Sequence, residues 1–236
     1  MTPLLVIAAG VLALLAGATV LLSYGGRYRV GRLLAATPKV SVDEAIRLAG
    51  DGPHRYVRVD GRLDSAEDFP DEHEQPLVYR RRSLQLRQRG QWRSFEEQVE
   101  AVPFEIREGL SGIEIDHGAL RHGLVVLPRE SEGTAGEIPD RVPAGTPPGM
   151  RARMRVEQIS SVEHAIVLGV PVRDGNGARL TAGTGRPLVL TTLEVPEAMR
   201  VLGGGRQRAL AAVILLAVGF AVTGLGLLWA LISALR

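Results

Sequence analysis

The chain has 236 residues, a formal net charge of +2 and no cysteine, and 45% of its residues are hydrophobic. Without cysteine, disulfides, thiolate catalysis and cysteine-ligated zinc are excluded. The apolar residues crowd into the two ends and all 26 acidic residues lie between them, a distribution that excludes a cytosolic enzyme, a disordered chain and a multispan transporter.

Residues 4–22 are nineteen in a row without a charge. At about 1.5 Å of rise per residue they reach roughly 28 Å, against a hydrocarbon core of about 30 Å, so segment 3–23 reads as a transmembrane helix. A cleaved signal peptide is the rival reading, from the small residues at 16–18, but no basic segment precedes the apolar run. The juxtamembrane stretch 24–50 carries Arg27, Arg29, Arg32 and Lys39, with Tyr24 and Tyr28 as interfacial anchors. Within it, Ser41 can cap a short helix that has Asp43 and Glu44 in its first turn and Gly50 at its end.

Residues 51–205 read as a β-rich α+β domain. Tyr56, Val57 and Val59 start a strand that leads to Gly61, and an acidic loop follows at 64–74. Strands are expected at 77–82 and 84–87, around Trp92 and Phe95, at 102–106, at 113–115 where apolar and acidic residues alternate, and at 124–127. The proline- and glycine-rich stretch 128–149 reads as a loop. Beyond it come strands over 151–159 and 165–172, a turn at Asp174-Gly175-Asn176-Gly177, a strand at 188–190 and a short helix at 196–202. The strand and Pro-Leu-Val block at 57–61 and 76–78 rhymes with that at 166–169 and 187–189, so two related β units stand beside chance similarity as readings.

The second charge-free run covers residues 209–235, and segment 207–235 reads as another transmembrane helix, with Trp229 toward its far side. Gly219, Gly224 and Gly226 lack GxxxG spacing and read as tolerated glycines. The resulting fold class is two transmembrane helices flanking a β-rich α+β soluble domain. Arg200, Arg206 and Arg208 precede the second helix as Arg27, Arg29 and Arg32 follow the first, and these six read as membrane-surface contacts worth about 1 kcal/mol each on an anionic leaflet. By the positive-inside bias the domain lies in the cytoplasm. The remaining body is mildly acidic, which argues against a nucleic-acid partner.

No catalytic constellation emerges. The histidines His54, His73, His117, His122 and His164 lack a paired nucleophile, Gly109-Leu110-Ser111-Gly112 misses the G-x-S-x-G elbow, and Asp116, His117 and His122 lack a third zinc ligand of defined spacing. Gly175, Gly177, Gly183 and Gly185 form no phosphate cradle, and the only lysine is Lys39. No metal and no cofactor are expected. The unusual feature is the run Arg80, Arg81, Arg82, Arg87 and Arg89, followed by Trp92. It is either a charged sheet edge paired with the acidic loop upstream or a docking surface for an acidic partner or lipid headgroups. Strand alternation puts Arg80 and Arg82 on one face and Arg81 on the other.

The order of Pro76-Leu77-Val78-Tyr79-Arg80, Trp92, Val102-Pro103-Phe104-Glu105-Ile106 and the segment from His164 to Gly169 resembles the GIDE domain family, also called the beside-a-membrane (BAM) domain. Its best-known members are the membrane-anchored parts of MULAN-type ubiquitin ligases. The resemblance implies a membrane-anchored interaction domain. In that family the transferase chemistry belongs to a zinc-bound RING after the second span, which this cysteine-free chain does not contain. The expectation is therefore a non-enzymatic module that binds a protein or lipid partner. The alternatives are a component of a ligase whose RING is supplied by another chain, and an assembly factor that forms homo-oligomers through its helices.

Overall fold

A computed structural model describes residues 3–50, 55–120, 123–175, 177–203 and 206–234, apart from the side chains of 3, 21–28, 203, 206–209 and 234. His54, His122 and Asn176, and the side chains of Tyr24, Arg27, Tyr28, Arg206 and Arg208, lie outside the described residues. The chain divides into two compact units, Leu34–Ala198 and a helical unit of Met1–Leu33 with Met199–Arg236.

The larger unit is built on strict alternation. After a two-residue strand β1 (Lys39–Val40) and helix α2 (Val42–Gly50), strand β2 (Val57–Asp64) buries every second residue, Val57, Val59, Gly61 and Leu63. Helix α1 (Pro3–Ala36) precedes them. Strand β2 runs antiparallel to β6 (Glu105–Glu108), which turns back as β7 (Ser111–Ile115). Strand β7 lies parallel to β12 (Gly177–Thr181), itself the second arm of a hairpin with β11 (His164–Asp174). Strand β11 returns antiparallel to β2 and closes the ring. Three meandering strands, then a hairpin inserted so that third and fifth strands run parallel, give the connectivity of an OB-type Greek-key barrel. Its interior holds Val59, Leu63, Ile106, Ile113, Ile115, Val167 and Leu180, all buried. Helix α2 covers one end and contacts all five strands, with Val42 and Ala45 fully buried. Gly61 is required where β2 and β6 approach, because a Cβ there would strike the Arg107 carbonyl oxygen.

Two excursions leave the barrel. The first, between β2 and β6, forms β3 (Phe69–Pro70), β4 (Pro76–Gln88) and β5 (Gln91–Ala101). The second, between β7 and β11, forms β8 (Leu124–Val125), β9 (Arg129–Thr134) and β10 (Arg151–Ser160). They join into one antiparallel sheet in which β4 pairs with β10, β9 flanks β10, and β3 and β5 share the far side of β4. Strand β8 instead pairs with β13 (Val189–Thr191), which extends the barrel sheet beside β11. Within the stretch read as a loop, residues 129–134 form β9, and Ile138, Val142 and Met150 pack on a small core of Leu86, Ala135 and Ala152.

The reading of two related β units is corrected. Strands β2 and β11, which carry the rhyming segments, are antiparallel neighbours in one barrel, from Val57↔Gly169 to Arg62↔His164. A strand alone cannot close such a barrel, so neither half makes a unit.

The reading of two transmembrane helices is corrected as well. After α3 (Val195–Gly203) comes α4 (Arg206–Ala234), and its portion Leu210–Ser233 is long and apolar enough to cross a membrane. The apolar portion of α1 among the described residues is Leu4–Val20, shorter than the roughly 20 residues that a span requires. The helix continues past it through Arg29 and Arg32 to Ala36. The two helices nevertheless pack closely. Gly10 and Gly17 on α1, and Ala212, Gly219 and Gly226 on α4, are buried at intervals of seven. A Cβ on Gly17 would lie 2.9 Å from Leu216, one on Gly219 2.8 Å from Leu14, and one on Gly226 2.8 Å from Ile7. Gly219 and Gly226 are thus contact positions that heptad spacing reveals and GxxxG spacing hides.

Candidate functional site

The arginine run lies along β4 in unbroken register with β10 from Leu86↔Ala152 to Tyr79↔Ile159. Alternation therefore holds, and it separates the arginines by face.

One face is an internal charge ladder. Arg81 donates from Nε at 2.7 Å and from Nη2 to Oε2 of Glu157, whose other oxygen accepts from Arg155 Nη2 at 2.8 Å. Glu130 on β9 bridges Arg153 at 2.8 Å and Arg155 at 3.3 Å, and Glu132 pairs with Arg151. Arg153 also donates to Gln85 Oε1 at 2.6 Å and lies over the Trp92 ring, 4.5 Å from its centroid. Arg87 approaches the same ring at 6.0 Å. Trp92 thus contacts two guanidinium groups of its own sheet; Arg81 is engaged by Glu157 within the ladder, and Arg87 is exposed. Arg89 is exposed in the β4–β5 turn with φ 49°, followed by Gly90 at 79°, the left-handed pair that a two-residue hairpin needs.

The other face bears Arg80 and Arg82, opposite Gln158 and Val156. They line a cavity of about 170 Å³ with Arg129, Met154, Val156 and Gln158, and three acidic residues, Asp71, Glu72 and Glu130, line it as well. Arg80 pairs through Nη2 with Glu100 and lies 5.1 Å from the centroid of Phe69. Its Nε is buried without a hydrogen-bond partner. Among the described residues Arg82 makes no side-chain hydrogen bond or ion pair. Asp71 and Glu72 of the acidic loop line the same cavity without pairing with it among the described residues. Asp71 accepts from the backbone N–H groups of His73 at 2.7 Å and Gln75 at 2.9 Å, and the Gln75 N–H leads in holding its carboxyl below the usual range. Its nearest guanidinium, that of Arg129, is 3.8 Å away.

The remaining candidates stand apart from this cavity. Ser111 Oγ donates to Asp43, tying β7 to α2, and Asp116 accepts from Thr181 Oγ1 at 2.6 Å. His117 packs beside Phe104 with ring centroids 6.5 Å apart. Among the described residues no group of three histidine or carboxylate side chains could hold a metal. Arg29, Arg32 and Arg200 are exposed and make no ion pair among the described residues.

Sequence reasoning missed the partners of the ladder. The signal was present as Arg151, Arg153, Arg155 and Glu157 at every second position of one strand, facing Glu130 and Glu132 at the same period in another. The carboxyl of Glu163, pushed up first by burial and with Oε2 unpartnered, also went unread.

An OB-type barrel that carries a second sheet with an arginine-containing, mixed-charge cavity is the class this geometry defines. Compared with known proteins, the chain matches no family model, no curated protein and no solved structure.

Proposed function

We propose that the protein is a membrane-anchored, non-catalytic binding module that receives an acidic group of a protein partner in the cavity on the Arg80 and Arg82 face. The observation that carries this reading is a pair of guanidinium groups with unused donors in one concave site: Arg82 with no hydrogen bond or ion pair among the described residues, although Asp71, Glu72 and Glu130 line the same cavity, and Arg80 with a buried, unbonded Nε. A carboxylate supplies two acceptor oxygens that match a guanidinium fork. Met154 and Val156 provide apolar contact beside it. The helix Leu210–Ser233 would anchor the module. Arg200, Arg206 and Arg208 before that helix place the β-rich unit on the cytoplasmic side in this reading. The motif order shared with GIDE domains supports the same assignment: its Pro-Leu-Val-Tyr-Arg block opens β4 and so supplies Arg80.

The test is co-purification of the detergent-solubilised full chain, followed by mass spectrometry, for wild type and for Arg82→Ser. The reading requires that partners with acidic segments are lost from Arg82→Ser at unchanged thermal stability. Retention of the same partners by both proteins overturns it. Orientation is read separately, by introducing one cysteine at the exposed Ser131 of an otherwise thiol-free chain and labelling intact cells with a membrane-impermeant maleimide. Labelling would refute the cytoplasmic placement.

A further inference from the structure

A larger cleft lies on the barrel unit, away from the second sheet. It has a volume of about 830 Å³ and lies between β1, α2, the start of β2, the end of β11 and the turn after β12. This is within the roughly 300–1,000 Å³ range of small-molecule sites. Its walls are of two kinds. Val40, Leu48, Val57, Val170 and Val172 form an apolar floor, of which Val40, Leu48 and Val172 are half-buried and so present carbon to solvent. Lys39, Arg55 and Arg186 stand around it against a single acid, Glu44.

The three cations are not equivalent. Lys39 is 3.2 Å from Asp60, whose carboxyl burial pushes up but whose bonds to Arg58 and Lys39 hold below the usual range. Arg186 has no ion pair among the described residues. It is positioned all the same, because its guanidinium lies 5.5 Å from the centroid of the Tyr56 ring, and its backbone is clamped to Gly183 by N–H to O bonds of 3.1 and 2.9 Å. The Tyr56 ring is fixed in turn by donation from its hydroxyl to the Pro187 carbonyl at 2.6 Å. Gly185, with φ 68°, makes this four-residue turn possible. A cation held by stacking, with no side-chain hydrogen bond among the described residues and beside exposed aliphatic carbon, matches a ligand with an anionic head and an apolar tail.

We propose that this cleft binds one anionic phospholipid, with its phosphate on Arg186 and part of an acyl chain over Leu48, Val170 and Val172. A free phosphate would leave the apolar floor uncovered. A zwitterionic lipid would bring a fourth cation to a rim that already carries three, of which only Lys39 has an acidic partner among the described residues. A chain that bears a helix able to cross a membrane has such lipids within reach. The site is separate from the Arg82 cavity and does not depend on it.

The test is native mass spectrometry of the detergent-solubilised full chain titrated with short-chain phosphatidylglycerol, with short-chain phosphatidylcholine, and with phosphatidylglycerol in competition with inorganic phosphate. Two variants accompany wild type: Arg186→Gln, and Ala182→Trp, which fills the cleft mouth from an exposed position. The expected result is one phosphatidylglycerol bound, with phosphatidylcholine at least about tenfold weaker, a similar loss in each variant at unchanged thermal stability, and no displacement by millimolar phosphate. Equal binding of both lipids, or binding indifferent to both variants, would mean lipid held by the apolar helices alone and would overturn the proposal. Displacement by phosphate would equally overturn it, by showing that the floor contributes nothing.

Discussion

Replacing Arg81 by leucine separates the two faces of β4 energetically. Arg81 gives two charge-assisted bonds to Glu157, a carboxylate whose side chain is 8% exposed. Removing one partner of a buried pair costs about 3–5 kcal/mol, because the remaining charge stays desolvated. Here Arg155 still holds the other carboxylate oxygen at 2.8 Å, which reduces the loss to about 2–3 kcal/mol. In a domain of this size each kcal/mol moves Tm by about 2–4 °C, so Arg81→Leu should lower it by about 4–12 °C. Arg82→Leu, which breaks no hydrogen bond or ion pair among the described residues, should stay within about 2 °C of wild type. Adding Glu157→Leu to Arg81→Leu should recover part of the loss, since no uncompensated charge is then buried. The assay is a thermal melt of the solubilised chain followed by β-sheet circular dichroism. Equal shifts for Arg81→Leu and Arg82→Leu would refute the assignment of the two residues to opposite faces.

Stability should fall as pH rises from 4.5, because burial raises the Glu163 carboxyl above its ordinary value and the folded state then holds a proton that the unfolded state has released. Glu163→Gln should flatten that decline in a pH series of melts, and an unchanged slope would count against it. Below about pH 4 the sign reverses: Asp60 and Asp71, both held low in the fold, must be protonated, so stability there is lost as pH falls. Tyr56→Phe leaves the Pro187 carbonyl without its donor and should cost about 1–2 kcal/mol, read by denaturant midpoint. Burial pushes the Tyr56 phenol up to about 12 and raises that of Tyr79 as well, so both tyrosines should ionise late in an alkaline ultraviolet titration. Gly10→Cys combined with Thr223→Cys should form a disulfide on mild oxidation, seen as a mobility change on a non-reducing gel, whereas Gly10→Cys with Gly224→Cys should not.

Much of the barrel was visible in single strands. The alternation of Val57, Val59 and Leu63, or of Ile113 and Ile115, marks a strand with one wet face, and Asp174 to Gly177 marks a hairpin. What stayed hidden is pairing at a distance. Nothing local in residues 57–62 says that their neighbour is 164–169, so a shared barrel looked like a repeated unit. Strand β9, Arg-Glu-Ser-Glu-Gly-Thr, has no apolar period, and only the complementary arginines of β10 reveal it. The arginine run shows both limits at once. Its division by face follows from period two, but which face is neutralised depends on Glu157, far along the chain. Gly219 and Gly226 of α4 misled for a simpler reason: spacing by seven keeps them on one seam as effectively as spacing by four.

The second sheet has a consequence for how this architecture varies. Its central strands, β4 and β10, come from different connections of the barrel, and each supplies half of every rung between them. Asp64 and Glu105, where the first connection leaves and re-enters, already face one another across β2 and β6, so a tight turn could join them in place of that connection, at the cost of Val78 and Tyr79, which pack in the same core as the barrel residues. The second connection would then be left with an unpaired β10 edge that exposes Arg151, Arg153 and Arg155. The two insertions are therefore heritable only as a pair, and a relative of this protein should carry both or neither.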